Sequence, residues 1–164
     1  MPEACQVKGE KTIIVGLGNT ILSDDGVGIY IARELEEKLL NNQKVDVIEA
    51  SLAGFNLVEM LQGYSRAIII DSIMTADGEV GDVYHFSPEA VSTTVRLASV
   101  HDINLITSLK LYRELNLPVP ETVDIYAVEV ADNSTFHQGC CPEVEKAMPE
   151  VITQVLQQIN SDFN

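Results

Sequence analysis

Basic side chains are scarce in this chain of 164 residues, which has 10 Lys and Arg against 25 Asp and Glu and a formal net charge of −15. Such a charge repels phosphate groups, so nucleic acid is not expected as a partner. No stretch reaches the roughly 18 uncharged apolar residues of a membrane span, and the first residues lack the apolar core of a signal peptide. We therefore expect a cytoplasmic protein that does not bind membranes.

Cysteine is equally rare, with Cys5, Cys140 and Cys141 as the complete set. An odd number that includes an adjacent pair fits neither a disulfide framework nor the spacing of a structural zinc site, so we interpret all three as free thiols. The GxSxG and HExxH motifs of known hydrolases are also absent. A catalytic pair of one thiol with His137 remains an alternative, although no third residue is seen that would orient it.

Apolar residues, by contrast, make up 46% of the chain, enough for one core without disulfides or a structural metal. Their periodicity predicts a single domain over residues 1–164 with an ordered core of about residues 12–159. Its fold class is α/β, a three-layer α/β/α sandwich of about five strands, mostly parallel, with one antiparallel edge strand. The predicted strands cover residues 12–15, 45–49, 67–70, 80–86 and 122–130, and predicted helices end near residues 39, 61, 115 and 159. Pro149 should kink or split the last helix.

The glycine-rich turn after the first strand first suggests a dinucleotide-binding loop, because Gly16 and Gly18 follow a strand and precede a helix. The spacing disagrees, since Ile21 stands where the third glycine belongs. Asp24 and Asp25 also occupy the start of the helix, where a pyrophosphate would have to bind. Nucleotide binding is therefore disfavoured.

Position in the predicted sheet selects a different site. Asp25 follows the first strand and Asp71 ends the third, and in the common strand order 2-1-3 these strands are neighbours whose carboxyl ends meet at one edge. His101 opens a helix at that same edge, and two carboxylates with one neutral imidazole suit a divalent metal ion. Each residue also has an alternative structural role without chemistry. Asp25 would be an acid at a helix N-terminus, Asp71 an acid that closes a strand and His101 a residue of the first helical turn. His85 and His137 are interpreted as surface residues.

Five segments, taken in order, closely resemble the nickel-iron hydrogenase maturation endopeptidases. They are GLGN at 16–19, SDDGVG at 23–28, IIDS at 69–72, SVHD at 99–102 and CPEVE at 141–145. The resemblance runs from about residue 12 to residue 159. It implies a three-layer α/β/α peptidase that removes the C-terminal extension of a hydrogenase large-subunit precursor once nickel is in place.

The resemblance also implies a site. By motif match, Asp25, Asp71 and His101 are the metal-contacting and catalytic residues. The resemblance thus implies an aspartyl protease that recognises a bound metal ion. No resident cofactor is then expected, because the nickel belongs to the precursor, and zinc-like or cadmium-like ions can substitute for it. We expect a monomer. The segment ADNS at 131–134 departs from the Glu-Pro step of many members, which bears on the choice of precursor.

Two alternatives come from other classes. Peptidyl-tRNA hydrolases also begin with a strand and a Gly-Leu-Gly-Asn turn, but a tRNA substrate calls for a basic surface that this chain lacks. A non-catalytic metal-binding or chaperone-like module of the same fold is the other alternative.

Overall fold

A computed structural model describes residues 10–91 and 100–162. The strands are β1 Thr12–Leu17, β2 Val45–Ala50, β3 Arg66–Ile73, β4 Val83–Phe86 and β5 Thr122–Glu129. The helices are α1 Val27–Leu39, α2 Gly54–Leu61, α3 Pro88–Val91, α4 Val100–Glu114 and α5 Pro142–Asp162, and a 3₁₀ turn at Ser23–Gly26 precedes α1. No helix in these ranges is both long enough and apolar enough to cross a membrane.

The strands form one sheet in the order β2-β1-β3-β5-β4, in which β4 alone runs antiparallel. The predicted fold class, with an antiparallel edge strand, is confirmed. Although β4 follows β3 in the chain, it pairs with β5, in a register that runs from Val83 opposite Val128 to Phe86 opposite Ile125. The segment that joins β3 to β4 therefore spans the width of β5 and is not a tight hairpin.

Strand β3 is longer than the sequence predicts. Its pairing with β1 stops at Ile70, but its pairing with β5 continues to Ile73. Asp71 therefore does not terminate the strand, as expected from the sequence, but lies inside it, opposite Ala127. Since β1 no longer accompanies β3 at this residue, Asp71 lies where the two neighbouring strands diverge, at the carboxyl end of the parallel strands.

Two apolar clusters cover the two faces of the sheet. Alternate residues of β3 divide between them, so that Ile68 and Ile70 pack towards α1 and α5, whereas Ile69 packs towards α2 and α4. This period of two is the expected result of a strand buried on both faces.

Helix α5 begins at Pro142, as predicted, but Pro149 does not split it. The residues around the proline on the buried face, Met148, Val151 and Ile152, remain packed in the core. Proline removes one backbone hydrogen bond from the helix, and the packing of the apolar face outweighs that loss. Of the two expected effects of Pro149, the split is wrong, because the sequence reasoning considered the helix without its tertiary contacts, and the kink stays a prediction.

Helix α1 lies very close to the sheet at its first turn. A Cβ atom at Gly28 would be 2.3 Å from the carbonyl oxygens of Leu17 and Ile70. Real Cβ atoms do not approach oxygen so closely, so only glycine allows this contact. The contact holds the beginning of α1 against the carboxyl ends of β1 and β3.

We predict that Gly28→Ala lowers the free energy of unfolding by about 2 kcal/mol or more, because the new methyl group must push α1 off the sheet. Urea denaturation monitored by circular dichroism measures the change. Glu37→Ala, an exposed position on the same helix, is the control and should change stability by less than about 0.5 kcal/mol. Equal stability of the two variants would contradict the close contact.

At the opposite end of the sheet, Asp124 is the centre of a polar network. It accepts hydrogen bonds from Arg66 at 2.8 Å, His85 at 2.9 Å and Gln158 at 3.0 Å. Burial raises the pKa of Asp124, but the bonds from Arg66 and His85 outweigh it and hold that pKa below its ordinary value. His85, which the sequence placed on the surface, is half-exposed and stacks on Tyr126 with ring centroids 4.3 Å apart.

Because the folded pKa of Asp124 is depressed, its contribution to stability is present above the unfolded pKa of about 4 and is lost as pH falls through the folded value. Asp124→Asn should therefore cost about 1–3 kcal/mol at neutral pH, and the difference from wild type should shrink below about pH 4. Urea midpoints measured across pH test this. A stability difference between Asp124→Asn and wild type that stays constant down to pH 2 would contradict this prediction. The control is Asp77→Asn, at an exposed position.

Candidate active site

The 3₁₀ turn at Ser23–Gly26 carries two acids directly after the loop that leaves β1. Backbone bonds tie it to the loop that follows β5: Ser23 N–H donates to His137 O at 2.8 Å, and Asp24 N–H donates to Asp132 O at 3.1 Å. Ser23 has a φ of 52°, in the left-handed region that non-glycine residues rarely adopt. Such strain persists where the surroundings hold the backbone in place.

Gly18 allows this turn to pack against β1. Its φ is +136°, and a Cβ atom there would lie 1.9 Å from the carbonyl oxygen of Asp25. The Ser51 hydroxyl donates to Gly18 O at 2.6 Å and holds the same segment from the β2 side. The glycine that first suggested a nucleotide loop thus serves to place the backbone of Asp25.

The two adjacent acids have different surroundings. Asp24 is 1% exposed, and its carboxylate accepts the backbone N–H of Cys141 at 2.7 Å, immediately before α5. It therefore ties the turn to the beginning of α5. Asp25 is 8% exposed and accepts a hydrogen bond from the Ser72 hydroxyl at 3.2 Å. The sequence did not reveal the role of Asp24, because its partner is 117 residues away.

Asp71 is completely buried in β3, and its Oδ1 accepts the backbone N–H of Ser72 at 2.8 Å. Asp25 and Asp71 are therefore hydrogen-bonded to the same residue, one through its hydroxyl and the other through its backbone. The structure brings together the two carboxylates that the sequence selected. Ser72 was missed as their link, although it stands next to Asp71 in the IIDS segment.

A pocket of about 310 Å³ opens beside Asp25 at the carboxyl ends of β1 and β2. Its lining comes from both strand ends and from the loop after β5: Leu17, Gly18, Asn19, Leu22, Asp25, Ser51, Leu52 and Asn133. A second pocket of about 280 Å³ shares Gly18, Asn19 and Ser51 with it and extends to Arg33 and Glu49. The two pockets are therefore adjacent at this edge of the sheet, and we refer to them together as the groove.

His101 lies in the first turn of α4, and its side chain lies outside the part of the chain that the structure describes. The helix is nevertheless placed at the same end of the sheet. A Cβ at Gly54, just beyond the carboxyl end of β2, would lie 3.8 Å from the Cβ of Asn104, one turn after His101. Among the side chains described, no group of three or more His, Cys, Asp or Glu could hold a metal ion.

The thiols have the wrong electrostatics for a nucleophile. Burial, together with the negative charge of Asp24, raises the pKa of the Cys140 thiol to about 12. Burial also raises the pKa of Cys141. His137 is exposed on the neighbouring loop. Because the thiolate is the reactive form, these cysteines are poor nucleophiles at neutral pH.

We therefore predict that Cys140→Ser and Cys141→Ser keep peptidase activity within about twofold of wild type, because the raised pKa leaves almost no thiolate to lose. At neutral pH, Cys140 in the folded Cys141→Ser variant should react with iodoacetamide at least about tenfold more slowly than in the urea-unfolded variant. Peptide mass spectrometry separates it from Cys5. Rapid alkylation with loss of activity would favour the thiol alternative.

The fold is an open, mostly parallel α/β sheet with acidic side chains where two central strands diverge, and proteins of this class bind ligands at the carboxyl edge of the sheet. A family model described as hydrogenase maturation protease, HycI, matches residues 29–158. The chain belongs to this family and is a peptidase of hydrogenase maturation. The family that the sequence resembles is thus confirmed, although the matched range begins after the segments at 16–19 and 23–28. A peptidase takes the place of the peptidyl-tRNA hydrolase and non-catalytic alternatives.

Individual relatives agree with the family. The hydrogenase 2 maturation protease of Escherichia coli is 24% identical over 147 residues, which are 89% of this chain and 88% of that protein. Protein FrxA of Pyrococcus furiosus is 28% identical over 142 residues, 84% of this chain and 97% of that protein.

Solved structures share the fold. The hydrogenase maturating endopeptidase HybD from E. coli superimposes with a TM-score of 0.78 at 22% identity, covering 93% of each chain. The [NiFe] hydrogenase maturation protease HybD from Thermococcus kodakarensis has a TM-score of 0.67 at 24% identity, covering 91% of this chain and 98% of that one.

Proposed function

We propose that this peptidase removes the C-terminal extension of a nickel-iron hydrogenase large-subunit precursor and recognises the nickel that the precursor carries. Asp25 and Asp71 contact that nickel, with the imidazole of His101 as a third ligand. The observation that carries the proposal is the bonding of two buried carboxylates, Asp25 and Asp71, to the single residue Ser72. The family relationship supplies the class of substrate.

Charge explains why such a pair suits a metal-bearing substrate. Two negatively charged carboxylates that are bonded to the same residue repel each other, and the repulsion is stronger in the protein interior than in water. A divalent cation that arrives with the substrate relieves the repulsion and makes docking favourable only after metal insertion. Carboxylate and imidazole ligands together suit nickel and also zinc-like ions. The metal in this scheme is part of the substrate, and the peptidase needs no cofactor of its own.

The groove beside Asp25 gives the peptide a place to lie. Its two adjacent pockets lie at the ends of β1 and β2, one lined by Asn133 and the other by the Arg33–Glu49 ion pair. Both guanidinium-to-carboxylate distances in that ion pair are below 3 Å. A chain extended along this groove passes the carboxylate of Asp25. The scissile bond then lies where a carboxylate can accept a proton from water or where the substrate's metal can polarise the carbonyl.

We predict that Asp25→Asn, Asp71→Asn and His101→Ala each abolish cleavage of the nickel-loaded precursor, because each removes a metal ligand. Stability should change by no more than about 1 kcal/mol, since relief of carboxylate repulsion offsets lost hydrogen bonds. The shortened large subunit is detected by mass spectrometry, and urea denaturation gives stability. Asp77→Asn, an exposed acid in the loop after β3, is the matched control and should cleave normally.

The same assay separates the two parts of the proposal. Wild-type enzyme should cleave nickel-loaded precursor and leave metal-free precursor intact. Equal cleavage of both forms would refute nickel recognition while preserving the peptidase assignment. Failure to cleave either form would refute the choice of precursor.

A further inference from the structure

Two large apolar side chains are exposed on the loops that border the pocket beside Asp25. Ile21, on the loop after β1, is 53% exposed, and Phe136, on the loop after β5, is 81% exposed. Single exposed apolar residues are common on protein surfaces, but neighbouring ones at the edge of a site indicate an interaction surface.

Backbone bonds between the loops make these residues neighbours. Leu22 forms a parallel bridge with His137, and His137 N–H donates to Ile21 O at 3.1 Å. Ile21 and Phe136 each precede one member of the bridged pair, so they occupy adjacent positions on the same side of this short ribbon. We call these two residues the apolar rim.

The loop that carries Phe136 is held in a defined turn. The carboxylate of Asp132 accepts the backbone N–H groups of Ser134 at 2.9 Å and Thr135 at 3.0 Å. Asp132 O in turn accepts Asp24 N–H at 3.1 Å. Phe136 is therefore presented to solvent by a preorganised loop, which lowers the entropy lost when a partner covers it.

The apolar rim continues into the proposed active site. Leu22 and Asn133, which lie on the same two loops, line the pocket that contains Asp25. A protein that supplies the peptide held beside Asp25 would come to lie against the rim, because the same two loops carry both. The net charge of −15 opposes both self-association and binding to anionic membranes.

We propose that Ile21 and Phe136 dock an apolar patch on the folded large-subunit precursor, beside the extension that is cleaved. This inference rests on the proposed function. The rim acts at a distance from the scissile bond and contributes binding energy that is present equally in the ground state and in the transition state. Its loss therefore raises KM and leaves kcat nearly unchanged.

The test compares Phe136→Ser and Ile21→Ser with Leu40→Ser, a residue 76% exposed just after α1, at the opposite end of the sheet. With nickel-loaded precursor, the two rim variants should raise KM about tenfold with kcat within about twofold of wild type. Leu40→Ser should match wild type, and Phe136→Leu should restore most of the affinity. An unchanged KM in both rim variants would overturn the proposal.

Direct binding to immobilised precursor, measured by biolayer interferometry, separates this proposal from the proposed function. If the precursor binds in a way that depends on Phe136 but is not cleaved, the docking surface is supported and the proposed cleavage of this precursor is refuted. If the precursor is cleaved and the rim variants have no effect, the proposed function is supported and the docking surface is refuted. Absence of binding by the wild type would overturn the docking surface. Sedimentation velocity completes the test. If the wild type is a dimer and Phe136→Ser is a monomer, the rim serves self-association and the proposal is overturned.

Discussion

The approach of α1 to the sheet at Gly28 is the constraint on which the site depends. A residue with a side chain would collide with the carbonyl oxygens of Leu17 and Ile70, so the helix can begin this close to β1 and β3 only with glycine. The turn that carries Asp25 immediately precedes this contact, so the contact also fixes where the turn lies. Gly18, ten residues earlier in the chain, allows a similarly close approach, because a Cβ atom there would collide with the carbonyl oxygen of Asp25. The glycine-rich segment thus allows the carboxylate of Asp25 to lie next to Ser72 of β3.

Buried acids at this end of the sheet are used in several ways. Asp24 accepts the N–H of Cys141 before α5, and Glu129, which is 3% exposed, accepts the backbone N–H of Thr75 at 2.7 Å and its hydroxyl at 3.0 Å. These two carboxylates hold chain segments around the site. Asp25 and Asp71 instead share Ser72. This pair is the one to which we assign the substrate's metal in the proposed function.

The loops around the site are connected to each other as well as to the sheet. The loop after β1 and the loop after β5 exchange backbone bonds at Ser23, Asp24 and His137. These bonds join the acidic turn to the loop that carries Phe136. In the proposed function, the metal and the folded part of the precursor are bound by two loops that are hydrogen-bonded to each other.

Local patterns in the sequence predicted the five strands, four of the five described helices and the position of the candidate site residues Asp25 and Asp71 at one end of the sheet. The apolar run of β3 indicated a strand covered on both faces, Pro142 marked the first residue of α5, and strand order placed Asp25 and Asp71 at one edge. These features depend on periodicity and on backbone chemistry within a few residues. The part of each side chain in catalysis remains a prediction.

Long-range contacts decided the rest. The extension of β3 through Ser72 depends on pairing with β5, some 56 residues away, and the continuity of α5 through Pro149 depends on packing against the core. The separate roles of Asp24 and Asp25, and the pairing of Leu22 with His137, arise from partners distant in the chain. No local pattern encodes such partners, because they are chosen only when the sheet closes and brings its loops together at one edge.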